Sequence, residues 1–312
     1  MKRAVSLNPD KNPCAGRTIA ELDKKSSGRR LSSRLKRTVG VTESGARYER
    51  ISLKNGQKNG RAVYYIHGGA FYAGLNPFYR ELAYDLCGCM GGGEVIFVDY
   101  TTVPTAKYPT QLEETLDVWY ELTERLGYKP ENVTVGGDSA GGGLALAMLL
   151  SLRDSGRAMP RSVFGISPWT DMTASGDSYI KNYRLDAMFG DRKSSASEKK
   201  RRALTESELF GYARGLTDKE RKSPLVSPVF GDFHGFPPAF FTVGEHEMLL
   251  SDTLIVAESM KKNGVSVSVD TGAGMFHIYT LFGRYIPEAK RSYKRLLNFI
   301  SQGWDSADCT KK

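Results

Sequence analysis

Residues 132–152 read NVTVGGDSAGGGLALAMLLSL. A short apolar run, Asn132 to Val135, leads into a cluster of glycines, and from Leu144 the apolar residues continue unbroken to Leu150. The first part has strand character and the last part helix character. Between them Gly137-Asp138-Ser139-Ala140-Gly141 matches the pattern G-x-S-x-G. In a chain of 312 residues with 33 glycines the pentapeptide alone carries little weight. Its context decides: strand, tight turn and helix is the geometry that exposes a serine at the top of a sheet. Small neighbours are required because the strained turn leaves no room for side-chain branches. The helix N-terminus behind Ser139 also offers backbone N–H groups to developing negative charge.

Outward from this stretch, strands and helices alternate. Candidate strands are 62–66, 94–98, 132–135, 162–166, 239–243 and 265–270, and candidate helices are 109–126, 140–153, 252–262 and 287–300. Residues 48–54 and 62–66 flank Asn59-Gly60 and suggest an antiparallel hairpin. Alternation with an antiparallel start predicts an α/β fold, a mostly parallel central sheet with helices on both faces. Two basic, polar blocks stand apart. Residues 17–38 suggest a broken amphipathic helix through Ile19, Leu22, Leu31 and Leu35, and residues 172–225 hold one helical stretch, LTESELFGYARGL.

Composition excludes several classes. At 40% hydrophobic and 25% charged residues, the chain is neither disordered nor collagen-like. Seven consecutive apolar residues fall far short of the ~20 that cross a bilayer, and no apolar leader follows the charged N-terminus. Four sparse cysteines lack zinc spacing, Cys87-x-Cys89 included, so a reduced, cytoplasmic protein without metal is expected. The net charge of +9 is uneven: residues 1–50 hold 13 basic and 5 acidic side chains, and residues 181–222 hold 12 and 7. That distribution is not the footprint of a nucleic-acid binder, and Lys199–Arg202 is expected to be a solvated face.

A serine nucleophile needs donors, a base and an acid. The loop Tyr65-Ile66-His67-Gly68-Gly69-Ala70-Phe71 follows a strand, and its N–H groups at Gly68 and Gly69, with that of Ala140, suit an oxyanion hole. His67 is expected to brace this loop. Of the four histidines, His277 follows the last strand and satisfies the order serine, acid, histidine, whereas His234 precedes the acid region. The acid lies after the strand 239–243, among Glu245, Glu247 and Asp252. Asp252 in a helix's first turn has its own explanation in the macrodipole. Glu247 is therefore favoured, with Asp252 as the alternative.

Taken together, HGGAF followed by GDSAGG resembles the hormone-sensitive-lipase family of α/β-hydrolases. VDYTTVPTAKYPTQLEETLDVWYEL, SPWTDMT, SPLVSPVFGDFHGFPPAFFTVGEHEMLLSD and GMFHIYTLF are similar to further family segments, so the likeness covers most of the chain. Ala70 stands where a third glycine is usual, and Glu247 where aspartate is commoner. The resemblance implies an α/β-hydrolase fold with Ser139 as nucleophile, Glu247 as acid, His277 as base, and Gly68, Gly69 and Ala140 as oxyanion donors. It also implies a core of residues 46–171 and 226–303 under a helical cap of residues 1–45 and 172–225. The implied activity is a cofactor-free serine carboxylesterase acting on small esters, here of short acyl chain, through an acyl-enzyme. A deacetylase or amidase on the same fold is one alternative. A non-catalytic ligand-binding member is another, against which the complete serine, acid and histidine set argues. The sequence leaves the oligomeric state open.

Overall fold

Ala62-Val63-Tyr64-Tyr65-Ile66 are all buried, and their alternation divides them between two cores. A strand buried on both faces belongs in the middle of a sheet. In the computed structural model, which describes residues 33–56, 58–190 and 212–302, this strand (β3, Ala62–Ile66) does so. The eight strands among the described residues are β1 (Leu35–Val41), β2 (Arg47–Leu53), β3, β4 (Glu94–Asp99), β5 (Val133–Asp138), β6 (Ser162–Ile166), β7 (Ala239–Gly244) and β8 (Val267–Gly272). They lie in the order β1-β2-β4-β3-β5-β6-β7-β8. The β1–β2 and β2–β4 pairs are antiparallel and the rest parallel.

Tyr64 and Ile66 face the helices α2 (Thr110–Tyr120), α3 (Ser139–Asp154) and, further along the sheet, α6 (Leu250–Lys262). Val63 and Tyr65 face α1 (Pro77–Cys89) and α7 (Pro287–Ser301). Helix α3 is buried on nearly every side from Ser139 to Leu152, which its continuous apolar run requires. Among the described residues of the insertion between β6 and β7 are two short helices, α4 (Ser178–Lys181) and α5 (Asp218–Arg221). That insertion reaches back onto the loops at the strands' C-terminal ends. Tyr212 stacks on Phe71 at 3.8 Å and its carbonyl accepts from Tyr108 N.

Three expectations are corrected. Residues 35–41 form an edge strand rather than the end of a helix, so the expected cap of residues 1–45 loses this segment to the sheet. Thr38, Val39 and Val41 favour extended backbone, and Arg37 pairs across the strands with Glu49. Other basic residues among the first fifty also pair within the sheet: Arg47 meets Asp99 at 3.7 Å and Arg50 meets Glu94 at 2.6 Å. The proposed β2–β3 hairpin does not exist. β2 turns back on β1 through Thr42–Ala46, with Gly45 at φ +100°, and β4 lies between β2 and β3. The last strand starts two residues late, because Gly264 and Val265 close α6 by donating to the carbonyls of Lys261 and Met260. Residues 17–32, most of LTESELFGYARGL and Lys199–Arg202 lie outside the described residues; Tyr212–Gly215 is a turn.

Cys87 is buried against Ile51 O, and burial pushes the thiols of Cys87 and Cys89 up to about 12. Among the described residues no helix is long and apolar enough to cross a membrane.

Two helical glycines give opposite predictions. Alanine for glycine inside a helix normally gains up to about 1 kcal/mol. Gly88 in α1 has open space at its Cβ position, so Gly88→Ala should raise the urea midpoint slightly. At Gly141 the added methyl would run into the carbonyl oxygens of Ile66 and His67. Gly141→Ala should instead cost about 1–3 kcal/mol.

Candidate active site

β5 ends at Asp138 and the chain turns at once into α3, with Ser139 at φ +52°. A non-glycine residue in this region is strained and persists only where its surroundings hold it. They do so here by contact: the backbones of Gly137 and Gly141 press on Ile66 O so closely that neither position has room for a Cβ. The turn presents Ser139 Oγ to His277 Nε2 at 2.9 Å, and His277 Nδ1 lies 2.8 Å from Glu247 Oε2. All three side chains are buried. A carboxylate at Nδ1 fixes the neutral imidazole as the Nδ1–H tautomer, leaving the Nε2 lone pair to accept from the serine hydroxyl.

Glu247 sits in the turn after β7. Its Oε1 accepts from Ser167 Oγ at 2.7 Å and from Gly244 N, and Ser167 Oγ in turn accepts from Ile278 N at 3.0 Å. Ser167, just beyond β6, thus ties the acid to the loop carrying His277. The sequence reading missed it; its place after a central strand is the signal that pointed there. The insertion holds the acid loop from above. Asn182 Nδ2 donates to the carbonyls of Glu245 (2.9 Å) and Glu247 (2.7 Å), and Met248 N donates to Asp186 Oδ2 at 2.8 Å.

Asp252 is not brought to His277. It is buried in the first turn of α6 and accepts from Thr170 N (2.8 Å), Asp171 N (2.9 Å) and Tyr179 OH (3.2 Å). Burial, with Asp171 nearby, pushes its carboxyl well above the usual range. It fastens the loop after β6 to α6, a larger duty than the macrodipole alone suggested. Glu245 is exposed and accepts from Gly274 N at 2.9 Å. His234 is exposed and His246 half-exposed, and neither is paired with Ser139.

The oxyanion loop needs one correction. Gly68 N–H is already committed, to Tyr79 OH at 3.0 Å and Asp138 Oδ1 at 3.1 Å, so it is not available to a substrate. Gly69 (φ +107°) and Ala70 (φ +53°) line the cavity beside Ser139, and among the described residues neither N–H has an acceptor. Ala140 N lies in the first turn of α3, where no helical carbonyl reaches it. The N–H groups left without an acceptor beside Ser139 among the described residues are those of Gly69, Ala70 and Ala140 rather than Gly68. His67 is buried, donates from Nδ1 to Gly68 O at 2.8 Å and stacks on Tyr100 at 4.1 Å, bracing the loop.

The cavity measures about 320 Å³, and besides the residues already named it is lined by Asn76, Phe78, Met188, Phe189, Ile278 and Phe282. Phe189 meets the His277 ring edge-on at 4.7 Å. A buried hydroxyl bonded to a carboxylate-oriented imidazole, next to unspent N–H groups and an apolar cavity, can attack a carbonyl and stabilise the oxyanion.

Asp138 accepts from Tyr65 OH (3.0 Å), Tyr79 OH (3.1 Å) and Gly68 N. Burial nevertheless pushes its carboxyl from 3.8 up to about 6. Between those values the folded state binds more protons than the unfolded chain. The stability Asp138 contributes is thus fully present below about 3.8 and lost as pH rises through about 6. Relative to Asp138→Asn, which does not titrate, the wild type should lose on the order of 3 kcal/mol between pH 4 and 7. Urea unfolding of both proteins across that range checks this, and a flat difference contradicts it.

Known proteins resemble this chain in sequence and fold. A family model described as alpha/beta hydrolase fold matches residues 63–281. An esterase of Acinetobacter venetianus is 32% identical over 240 residues, 77% of this chain and 74% of its own. An acetyl-hydrolase of Streptomyces hygroscopicus is 30% identical over 241 residues, covering 77% and 75%. Among solved structures, a hormone-sensitive lipase from a metagenome library superposes with a TM-score of 0.78 at 26% identity, covering 94% of each chain. An esterase of the bacterial hormone-sensitive lipase family gives 0.75 at 26%, covering 97% and 93%. The chain belongs to the hormone-sensitive-lipase family of α/β-hydrolases.

Proposed function

We propose that this protein is a serine carboxylesterase that hydrolyses short-chain carboxylic esters through an acyl-enzyme. The observation that carries the reading is the unbroken relay Ser139 Oγ–His277 Nε2, His277 Nδ1–Glu247 Oε2, opening on an apolar cavity. His277 takes the hydroxyl proton as Ser139 attacks the ester carbonyl, and Glu247 stabilises the imidazolium formed. The N–H groups of Gly69, Ala70 and Ala140 hold the oxyanion. Collapse expels the alcohol with the proton from His277. Water, activated by the same imidazole, then releases the acid and restores Ser139.

Relatives named esterase and acetyl-hydrolase support ester chemistry on small acyl groups. The cavity's volume, at the small end for ligand sites, agrees with short chains. The described residues 172–190 of the insertion act as a cap over this cavity, with Met188 and Phe189 in its wall and Asn182 and Asp186 fastened to the acid loop. The two described cysteines are free thiols, in keeping with a reducing, cytoplasmic compartment.

Turnover of p-nitrophenyl butyrate tests the assignment. Ser139→Ala should lower kcat by about 10⁴–10⁶ without loss of fold. Glu247→Gln should lower it by about 10³–10⁴. Asp252→Asn should act mainly on stability, at about 1–3 kcal/mol for the buried bonds it disturbs. A Ser139→Ala protein retaining a tenth of wild-type turnover refutes the nucleophile, and greater loss at Asp252 than at Glu247 refutes the acid.

A further inference from the structure

Among the described residues, five polar ones line the cavity beside Ser139: Asn76, Tyr79, Asp138, Ser139 and His277. Four have their polar atoms engaged with one another or with the oxyanion loop. Tyr79 OH donates to Asp138 and accepts from Gly68 N; Asp138 also takes Tyr65 OH; Ser139 and His277 are bonded to each other and to Glu247. Asn76 is different. It is the N-cap of α1, with Pro77 at the first helical position, and its Oδ1 accepts from Phe78 N at 3.0 Å. That bond fixes which way round the amide lies, so Oδ1 faces the helix and the NH₂ group faces away from it. Among the described residues Nδ2 has no acceptor.

The rest of the wall is apolar and largely aromatic: Phe78, Met188, Phe189, Ile278 and Phe282. No lysine or arginine stands among the described lining residues, and the one carboxylate, Asp138, is buried behind the nucleophile. Apolar surface of this kind takes an uncharged arm of the substrate, and a donor on its wall selects for an oxygen placed opposite. A side chain already ordered by its capping bond loses no further freedom on binding.

We propose that Asn76 is a specificity-determining residue. The cavity takes neutral esters whose non-reacting arm is apolar but carries an ether, hydroxyl or carbonyl oxygen, and Asn76 Nδ2 donates to that oxygen. This rests on the esterase reading above, which it narrows to a substrate class.

Two matched substrate pairs test it, one for each arm of an ester. For the acyl arm, p-nitrophenyl 3-methoxypropionate is compared with p-nitrophenyl pentanoate; for the alcohol arm, 2-methoxyethyl acetate with butyl acetate. Each pair exchanges one CH₂ for oxygen at nearly constant shape. The variant is Asn76→Asp, which keeps the capping oxygen and removes the donor, with Asn76→Ser as a second capping residue without the amide. The quantity read is the kcat/KM ratio of oxygenated to alkyl ester, wild type against variant. Intrinsic reactivity and any general loss of activity cancel in it. The proposal expects the wild-type preference to exceed that of both variants by about 3–10-fold in one of the pairs, the value of one hydrogen bond. A change below about 3-fold in both pairs overturns the proposal while leaving the esterase reading intact. No hydrolysis of any of the four esters by the wild type overturns the esterase reading itself.

Discussion

Glu247 is a carboxyl group with no exposure to solvent, and the C-terminal edge of the sheet is arranged to supply it with donors. Burying such a group without partners costs several kcal/mol. Here Gly244 N, Ser167 Oγ and His277 Nδ1 provide three, drawn from β7, the loop after β6 and the loop after β8. Two loops distant in sequence, after β6 and after β8, are thereby fixed to the turn that carries Glu247. The same bonds orient the imidazole toward Ser139. Ser167 serves two loops at once, because it also accepts from Ile278 N. The insertion adds a roof: Asn182 and Asp186 bind the backbone on either side of Glu247.

A second, steric constraint meets this one at the nucleophile. Ser139 keeps its left-handed backbone because Gly137 and Gly141 let β5 and α3 close directly on the carbonyl of Ile66. That closeness places the oxyanion loop beside the serine. Asp138 then locks the two together by accepting from Gly68 N and from Tyr79, which also receives Gly68 N. The cost is a carboxyl group held in a site that favours its neutral form. What remains free after these commitments, the N–H groups of Gly69, Ala70 and Ala140 and the amide of Asn76, is what a substrate can use.

The central strands and buried helices were legible in the sequence because each carries its own hydrophobic pattern. The run from Leu144 to Leu150 needs no partner to be recognised as buried, and Ala62–Ile66 needs only two cores to explain it. Ser139, His277 and Glu247 could be picked out by chain order and strand ends. Other features depend on pairings that no local pattern records. Leu35–Val41 is a strand because Arg37 and Thr38 find β2 beside them, and β2 misses β3 because β4 lies between. Gly68 looks like a free donor until Asp138 and Tyr79 are seen to use it. Asp252 looked like an ordinary helix-start carboxylate, but two of its donors, Thr170 N and Asp171 N, come from the loop after β6 and the third, Tyr179 OH, from α4. Helix α1 was missed although Asn76-Pro77 is a recognisable start signal.

The claim on which all of this converges is that Ser139, His277 and Glu247 act as one nucleophilic unit. The most direct measurement is mass spectrometry after treatment with an organophosphate such as paraoxon, which phosphorylates an activated serine far faster than an ordinary one. The account predicts one phosphoryl group per chain, on the peptide containing Ser139, with hydrolysis lost in step with labelling. It also predicts no labelling on the same timescale in His277→Ala. Label on another serine, or full ester turnover by the labelled protein, would contradict it.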